Sequence, residues 1–181
     1  INLTWYPEIN PAGAAIEIDK QLSIGRSRGH NSALPSETPK VTSIIILTRN
    51  QLKYTKACVE SIKRHTKEPH EIIFVDNGST DGTVKWLQKL VRENGHYRLI
   101  LNRTNLGFAW GCNQGMQAAK GEYILLLNND VVVTANWLKR MITCAEAIPQ
   151  SGMVGPMSNY VSGPQLLKPV NYDTGSLSRL E

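Results

Sequence analysis

The sequence predicts an α/β fold with a mostly parallel sheet flanked by helices. Three observations carry that expectation. Short apolar runs between Val41 and Asn159 alternate with segments of helical periodicity, and such alternation gives a parallel sheet with right-handed crossovers. The runs are nearly continuous in Val, Ile and Leu, as strands covered on both faces must be. One of them, Leu125-Leu126-Leu127, stops abruptly at Asn128-Asn129-Asp130. Polar side chains placed where a buried strand ends lie at the rim of a Rossmann-like sheet, which is where open α/β sheets bind ligands.

Each element follows from its residues. Ser43 to Thr48 reads as a buried strand, and Asn50 as the N-cap of a helix with Leu52, Thr55, Val59 and Ile62 on one face. Pro69 stops that helix. Glu71 to Val75 is the second strand and ends at Asp76-Asn77-Gly78. Ser79 or Thr80 then caps a second helix carrying Val84, Leu87 and Val91, and Asn94-Gly95 ends it. Tyr97 to Leu101 alternates like a more exposed strand. Leu106 to Lys120 is a third helix with Phe108, Cys112, Met116 and Ala119 on one side, closed by Gly121. Glu122 to Leu127 is the fourth strand. Thr134 caps a fourth helix with Trp137, Leu138, Met141, Ile142 and Ala145, and Pro149 ends it. Gly152 to Pro156 resembles a short fifth strand. The expected strand order is 3-2-1-4, with the crevice where the winding reverses.

Residues 1–40 differ in character: turn-rich stretches surround a short alternating segment, Ala15 to Asp19, and suggest a linker or the tail of a preceding module. The regular domain covers 41–160, and 161–181 reads as an irregular tail rich in Gly, Pro and Ser. The chain of 181 residues fits one ordinary domain. It starts at Ile1 and is expected to be a truncated piece of something longer.

Composition narrows the partners. The net charge of +5 favours an anionic ligand or surface without choosing among them. Cys58, Cys112 and Cys144 are odd in number and lack a C-x-x-C spacing, so neither a disulfide framework nor a zinc site is expected, and a reducing, cytoplasmic setting follows. No apolar run approaches the roughly 18 residues of a membrane span. No stacking-aromatic signature of an RNA-binding module is present, so no nucleic-acid partner is expected. Lysines on the first helix allow peripheral contact with a membrane surface, although a solvated helix face explains them as well.

Four strand ends should therefore meet at one crevice: Thr48-Arg49-Asn50, Asp76 to Ser79, Asn102 to Asn105, and Asn128-Asn129-Asp130. Singly, each is also an ordinary cap or turn. Asp76 can accept a hydrogen bond from a ribose hydroxyl or a pyrimidine N–H. The turn after the first strand lacks the glycines of a dinucleotide fingerprint, and no Walker A loop exists. Bound phosphates would then need neutralising by a hard cation, which Asp130 can hold.

From Val41 to Asn159 the chain resembles the nucleotide-binding half of a family 2 glycosyltransferase with the GT-A fold. The matching pieces are Ile44 to Asn50, Ile73 to Thr83, Asn105 to Ala109 with Asn113, and Tyr123 to Asp130. The Gly107-Phe108-Ala109 to Asn113 and Leu-Leu-Asn-Asn-Asp pieces are similar to bacterial, rhamnosyltransferase-like enzymes that build cell-surface polysaccharides. The resemblance implies a donor such as a UDP- or dTDP-sugar, a glycan or lipid-linked acceptor, and inversion at the anomeric carbon. It implies that Thr48 and Asn50 lie beside the base, that Asp76 and Asn77 meet base or ribose, and that Asn105 and Asn113 shape the pocket. Asn128-Asn129-Asp130 stands at the family's Asp-x-Asp position. Asp130 would bind Mn²⁺ or Mg²⁺, while Asn128, near the ribose, removes one formal charge. After Asn159 no acceptor segment or catalytic base is legible. A non-catalytic binding or scaffolding module of the same fold is the alternative.

Overall fold

The computed structural model describes residues 40–147 and 151–156. Strand and helix alternate: β1 (Thr42–Thr48), α1 (Leu52–His65), β2 (His70–Asn77), α2 (Thr83–Glu93), β3 (Tyr97–Asn102), α3 (Phe108–Ala118), β4 (Tyr123–Asn128) and α4 (Trp137–Ala147). The strands pair in parallel in the order β3-β2-β1-β4, the order expected from the sequence. The chain winds outward from β1 through β3, then returns to the other side of β1. That reversal opens a crevice between the C-terminal ends of β1 and β4.

Strand side chains alternate between faces, and each face buries its own cluster. Ile44, Ile46, Ile72, Phe74 and Leu125 face Val59 and Ile62 of α1, Leu87 and Leu90 of α2, and Leu138 of α4. Ile45, Ile73 and Val75 face Met116 and Ala118 of α3. Burying one such Ile or Phe contributes about 1.5–3 kcal/mol, so these two layers hold the strands in register. α3 approaches β1 closely because Gly111 and Gly115 lack a Cβ. A methyl at Gly111 would collide with Leu47, and one at Gly115 with Ile45. Rising helix numbers against falling strand numbers show that α3 runs antiparallel to β1, with its N-terminus at the rim.

The opposite end of the sheet is tied by a polar knot. Glu71 accepts hydrogen bonds from Ser43 Oγ (2.6 Å), Arg98 Nη2 (2.8 Å) and the Lys120 N–H (2.8 Å). Burial by itself raises the Glu71 pKa, but the bonds from Ser43, Lys120 and Arg98 outweigh it and hold the carboxyl below its usual range. β1, β2, β3 and the approach to β4 are joined there.

Several local expectations are corrected. Residues 152–156 form no strand, and Met153 is 87% exposed; two glycines and a proline leave little to pack or pair. Asn50 does not cap α1. Gln51 holds the N-cap position without a side-chain bond, while Asn50 reaches across to the β2–α2 loop. Ser79 and Thr80 do not cap α2, which starts later, at Thr83 after Gly82. Thr134 likewise precedes the turn at Asn136, whose carbonyl accepts the first α4 bond from Arg140 N. The linker at 1–40, except Lys40, the stop at Pro149, and the tail at 161–181 lie outside the described residues. Among the described residues no helix is long and apolar enough to cross a membrane.

Candidate functional site

Register brings the four polar strand ends to one rim. Thr48 pairs with Asp76, Leu47 with Asn128, and Asn77 with Asn102. Asp76 and Asn128 flank β1 on its two sides, two strand spacings or roughly 10 Å apart. Polar residues there form two tiers, one buried and one open.

Thr48, Asp76 and Asn77 make the buried tier, with exposures of 1%, 0% and 2%. Thr48 Oγ1 donates to Asp76 Oδ2 (3.1 Å), and the Gly78 and Ser79 N–H groups donate to Asp76 Oδ1 at 3.1 and 2.9 Å. Gly78 has φ +79°, a conformation that strains any side chain, and a Cβ there would press against the Thr104 backbone at 3.1 Å. Asn77 Nδ2 donates to Asn105 Oδ1 (3.1 Å) and Gly107 O (3.0 Å), while its Oδ1 accepts from Asn102 Nδ2 (3.0 Å) and Leu106 N (3.4 Å). Asn102 and Gln114 exchange amide hydrogen bonds at 2.7 and 3.1 Å. The sequence put Thr48, Asp76 and Asn77 at this rim facing a ligand. They are at the rim, but their polar atoms turn inward, where they fix the shapes of two loops.

The turn after β1 is strained and cross-braced. Asn50 and Gln51 have φ values of 56° and 61°, a region that costs non-glycine residues on the order of 1 kcal/mol each. Asn50 N donates to Ser79 Oγ (2.6 Å), and Thr80 N donates to Asn50 Oδ1 (2.7 Å). Asp81 serves both neighbouring helices. It accepts from Leu52 N on α1 (3.0 Å) and from Thr83 N on α2 (3.1 Å). The Thr83 hydroxyl is the foremost of the contacts that lower its pKa. Sequence reasoning missed Asp81, although an Asp that can accept from the backbone N–H two residues on is a recognisable turn signal.

The open tier holds Arg49, Asn105 and Asp130, all exposed, with Asn128 and Asn129 half-buried. Asn105 Oδ1 also accepts from Gly107 N. Asn129 Nδ2 donates to Thr55 Oγ1 (3.0 Å), which ties the end of β4 to α1. The Asn128 carbonyl accepts from Val131 N and, at 3.7 Å, from Cys58 Sγ. Burial and, secondarily, the Asp130 charge push the Cys58 thiol up to about 12, so Cys58 is an inert buried group. Among the described residues the Asp130 carboxylate makes no hydrogen bond or ion pair.

Two residues of α3 stand differently from expectation. Phe108 lies on the sheet-facing side, three residues before Gly111, hence about 4.5 Å nearer the helix N-terminus. That carries it past the end of β1, and it overhangs the rim at 55% exposure instead of packing in the core. Asn113 is exposed on the side of α3 opposite Gly111 and Gly115, away from the sheet. Of the expected site residues it alone is not brought to the crevice. Trp110, on the same helix, is 61% exposed.

The donor set bears on metal binding. Asp130 and the Asn128 carboxamide are hard oxygen donors of the kind Mg²⁺ and Mn²⁺ take. Among the described residues no group of three His, Cys, Asp or Glu side chains gathers. One carboxylate fits an ion that arrives with phosphate oxygens and water as its other ligands. It does not make a standing metal site.

Comparison with known proteins gives the family and the fold. Residues 43–171 match the family model described as Glycosyl transferase family 2. Glycosyltransferase GlyG of Streptococcus pneumoniae serotype 4 is 29% identical over 121 residues, covering 67% of this chain and 40% of that protein. The chain thus spans less than half the length of that relative. The mannosyltransferase PcManGT of Pyrobaculum calidifontis, solved with GDP-Man and Mn²⁺, superposes with a TM-score of 0.57 at 21% identity, over 76% of this chain and 41% of its own. S. aureus TarS, solved with UDP-GlcNAc, gives 0.52 at 23% identity, over 64% and 37%. The two solved structures share the fold.

Proposed function

This chain belongs to glycosyl transferase family 2, and on that premise we propose that it is the donor-binding half of a metal-assisted, inverting glycosyltransferase. The donor is a UDP- or dTDP-sugar and the acceptor a hydroxyl of a glycan or lipid-linked glycan. One observation carries the reading: an exposed carboxylate, Asp130, without a hydrogen bond or ion pair among the described residues, stands at a rim where four parallel strands end in short polar side chains. The complexes of structural neighbours with GDP-Man and Mn²⁺, and with UDP-GlcNAc, support a nucleotide-sugar ligand.

The chain's own residues divide the work. Thr48, Asp76 and Asn77 hold the loops in shape without touching the ligand. Asn50, braced by Ser79 and Thr80, walls the base side of the crevice. Asn105 and Asn128 offer carboxamides to base, ribose or sugar hydroxyls, and Asn129 anchors the Asp130 turn to α1. Asn113 is left out of the site. Asp130 would hold a divalent cation, which when bound stabilises the negative charge developing on the diphosphate leaving group without proton transfer. The acceptor hydroxyl needs a general base on the opposite side of the anomeric carbon. We place that base in the part of the relatives that this chain does not span. The free cysteines Cys58, Cys112 and Cys144 fit a reducing compartment, so the proposed location is the cytoplasm, at the inner face of the membrane where a lipid-linked acceptor is accessible.

Calorimetry tests this reading. The chain is titrated with UDP and with dTDP, with and without Mn²⁺. Binding that requires the ion, and an Asp130→Ala variant that no longer responds to it, is the expected result. Equal nucleotide affinity with and without Mn²⁺ in the parent chain would contradict the role of Asp130.

A further inference from the structure

We infer that the outer face of the helix layer formed by α4, α1 and α2 is a docking surface for an anionic phospholipid membrane. The inference goes beyond the donor-binding reading and uses none of the rim residues.

Charge is segregated across the sheet. α1, α2 and α4 pack on one face of it, through Val59 and Ile62, Leu87 and Leu90, and Leu138. Together these helices contain nine lysines and arginines against Glu60, Glu93 and Glu146. That excess is larger than the net +5 of the whole chain. α3, on the other face, contains no charged residue. All nine cations are exposed. Helical phase turns the central ones outward: Lys53 and Arg64 stand opposite the buried stripe Thr55, Val59 and Ile62, and Lys85 and Arg92 stand opposite Leu87 and Leu90.

The three helices form one continuous face. Lys56 Nζ of α1 lies 6.0 Å from the Trp86 ring centroid of α2, and Trp137 Nε1 of α4 donates to Thr66 Oγ1, just past α1, at 2.9 Å. With 14 residues α1 is about 21 Å long, and packed helices lie about 8–10 Å apart, so the face measures about 20 Å on a side. Lys63 and Lys89 pair with Glu60 (3.5 Å) and Glu93 (3.8 Å), and exposed pairs of that kind hold weakly. The remaining cations form no ion pair among the described residues. Each lysine or arginine set against an anionic leaflet raises partitioning about fivefold. Two features favour headgroups over nucleic acid. Six of the nine cations are lysines, hydrated point charges without the fork that grips a single phosphate. Trp86, between α1 and α2, is half-buried beneath Lys56 instead of open for base stacking.

Vesicle flotation tests the inference. The parent chain should bind vesicles of equal parts phosphatidylglycerol and phosphatidylcholine, ignore pure phosphatidylcholine, and be released as salt shortens the screening length. Arg64→Gln/Lys85→Gln should weaken that binding roughly twenty-fold. The control Arg103→Gln/Lys120→Gln removes the same charge from the connections that flank α3 and should change binding by about twofold at most. All four side chains are exposed, so both variants should melt close to the parent. A parent chain that does not bind the anionic vesicles would overturn the inference. Equal weakening by the two variants would overturn it in favour of net charge without a face. An RNA oligonucleotide that binds more tightly than the vesicles, and is weakened by Arg64→Gln/Lys85→Gln, would overturn it in favour of nucleic acid. Titration of the same variants with UDP and Mn²⁺ keeps the two readings apart: loss of vesicle binding with unchanged UDP affinity is the expected pattern, and loss of both together would overturn the assignment of this face to lipid alone.

Discussion

Replacing Asn77 by Asp keeps the volume and changes only which atoms can donate. In the parent, Nδ2 donates to Gly107 O at 3.0 Å and to Asn105 Oδ1 at 3.1 Å, while Oδ1 accepts from Leu106 N. The two backbone partners fix the orientation of the carboxamide, because a carbonyl only accepts and an N–H only donates. An aspartate would set a carboxylate oxygen against the Gly107 carbonyl. Asn105 can rotate to donate instead; Gly107 cannot. The lost bond to Gly107 O, and a carboxylate oxygen held against that carbonyl in a nearly fully buried position, give a loss of about 2–4 kcal/mol at neutral pH. Stronger bonds from Asn102 and Leu106 return only part of it. The penalty falls on the charged form, so the folded-state pKa of the new carboxyl is raised. Its cost is full above that pKa and fades as pH falls toward the unfolded value of about 3.9. Urea denaturation at pH 7 and near pH 4 is the assay. A difference from the parent below about 0.5 kcal/mol, or one that does not shrink at low pH, would refute the hydrogen-bond assignment at the buried tier.

Two further perturbations test the frame that positions the rim. Glu71→Gln should destabilise the chain by about 2 kcal/mol at neutral pH. The Glu71 pKa is depressed in the fold, so its stabilising effect is present above the ordinary carboxylate value and is lost as pH falls through the folded one. The gap between variant and parent should therefore close in acid; a gap that widens there would contradict the network. Gly115→Ala sets two effects against each other. Alanine gains about 1 kcal/mol of helix propensity, but its Cβ would meet the buried Ile45 side chain, and overpacking costs about 1–3 kcal/mol. Net destabilisation in a thermal melt is the expected sign, and a variant more stable than the parent would show that α3 can lift off β1.

The sheet was legible in the sequence because each buried strand is a local apolar run, and Ile44–Leu47, Ile72–Val75 and Leu125–Leu127 announce themselves without reference to anything distant. Their order followed from the alternation with helices. The failures are all non-local. Asn50, Ser79 and Thr80 have the right chemistry for caps, yet they bond to one another across about thirty residues, and nothing in either segment alone announces the other. Asp76 and Asn77 read correctly as polar strand ends, but their burial depends on Thr48, Asn102 and Leu106, which only the folded register supplies. Phe108 has core periodicity and is exposed because β1 stops beneath it, a fact of relative strand length. The segment Gly152 to Pro156 has apolar residues suited to a strand, but it does not join the four-stranded sheet.

The central claim is that one rim, at the C-terminal ends of the four strands, receives the nucleotide. Backbone amide NMR during titration with UDP or dTDP and Mg²⁺, the diamagnetic ion, tests it most directly. The claim predicts shifts concentrated at Arg49–Asn50, Ser79–Thr80, Asn105–Phe108 and Asn128–Asp130. Shifts gathered instead around Glu71, Arg98 and Lys120, at the other end of the strands, would contradict it.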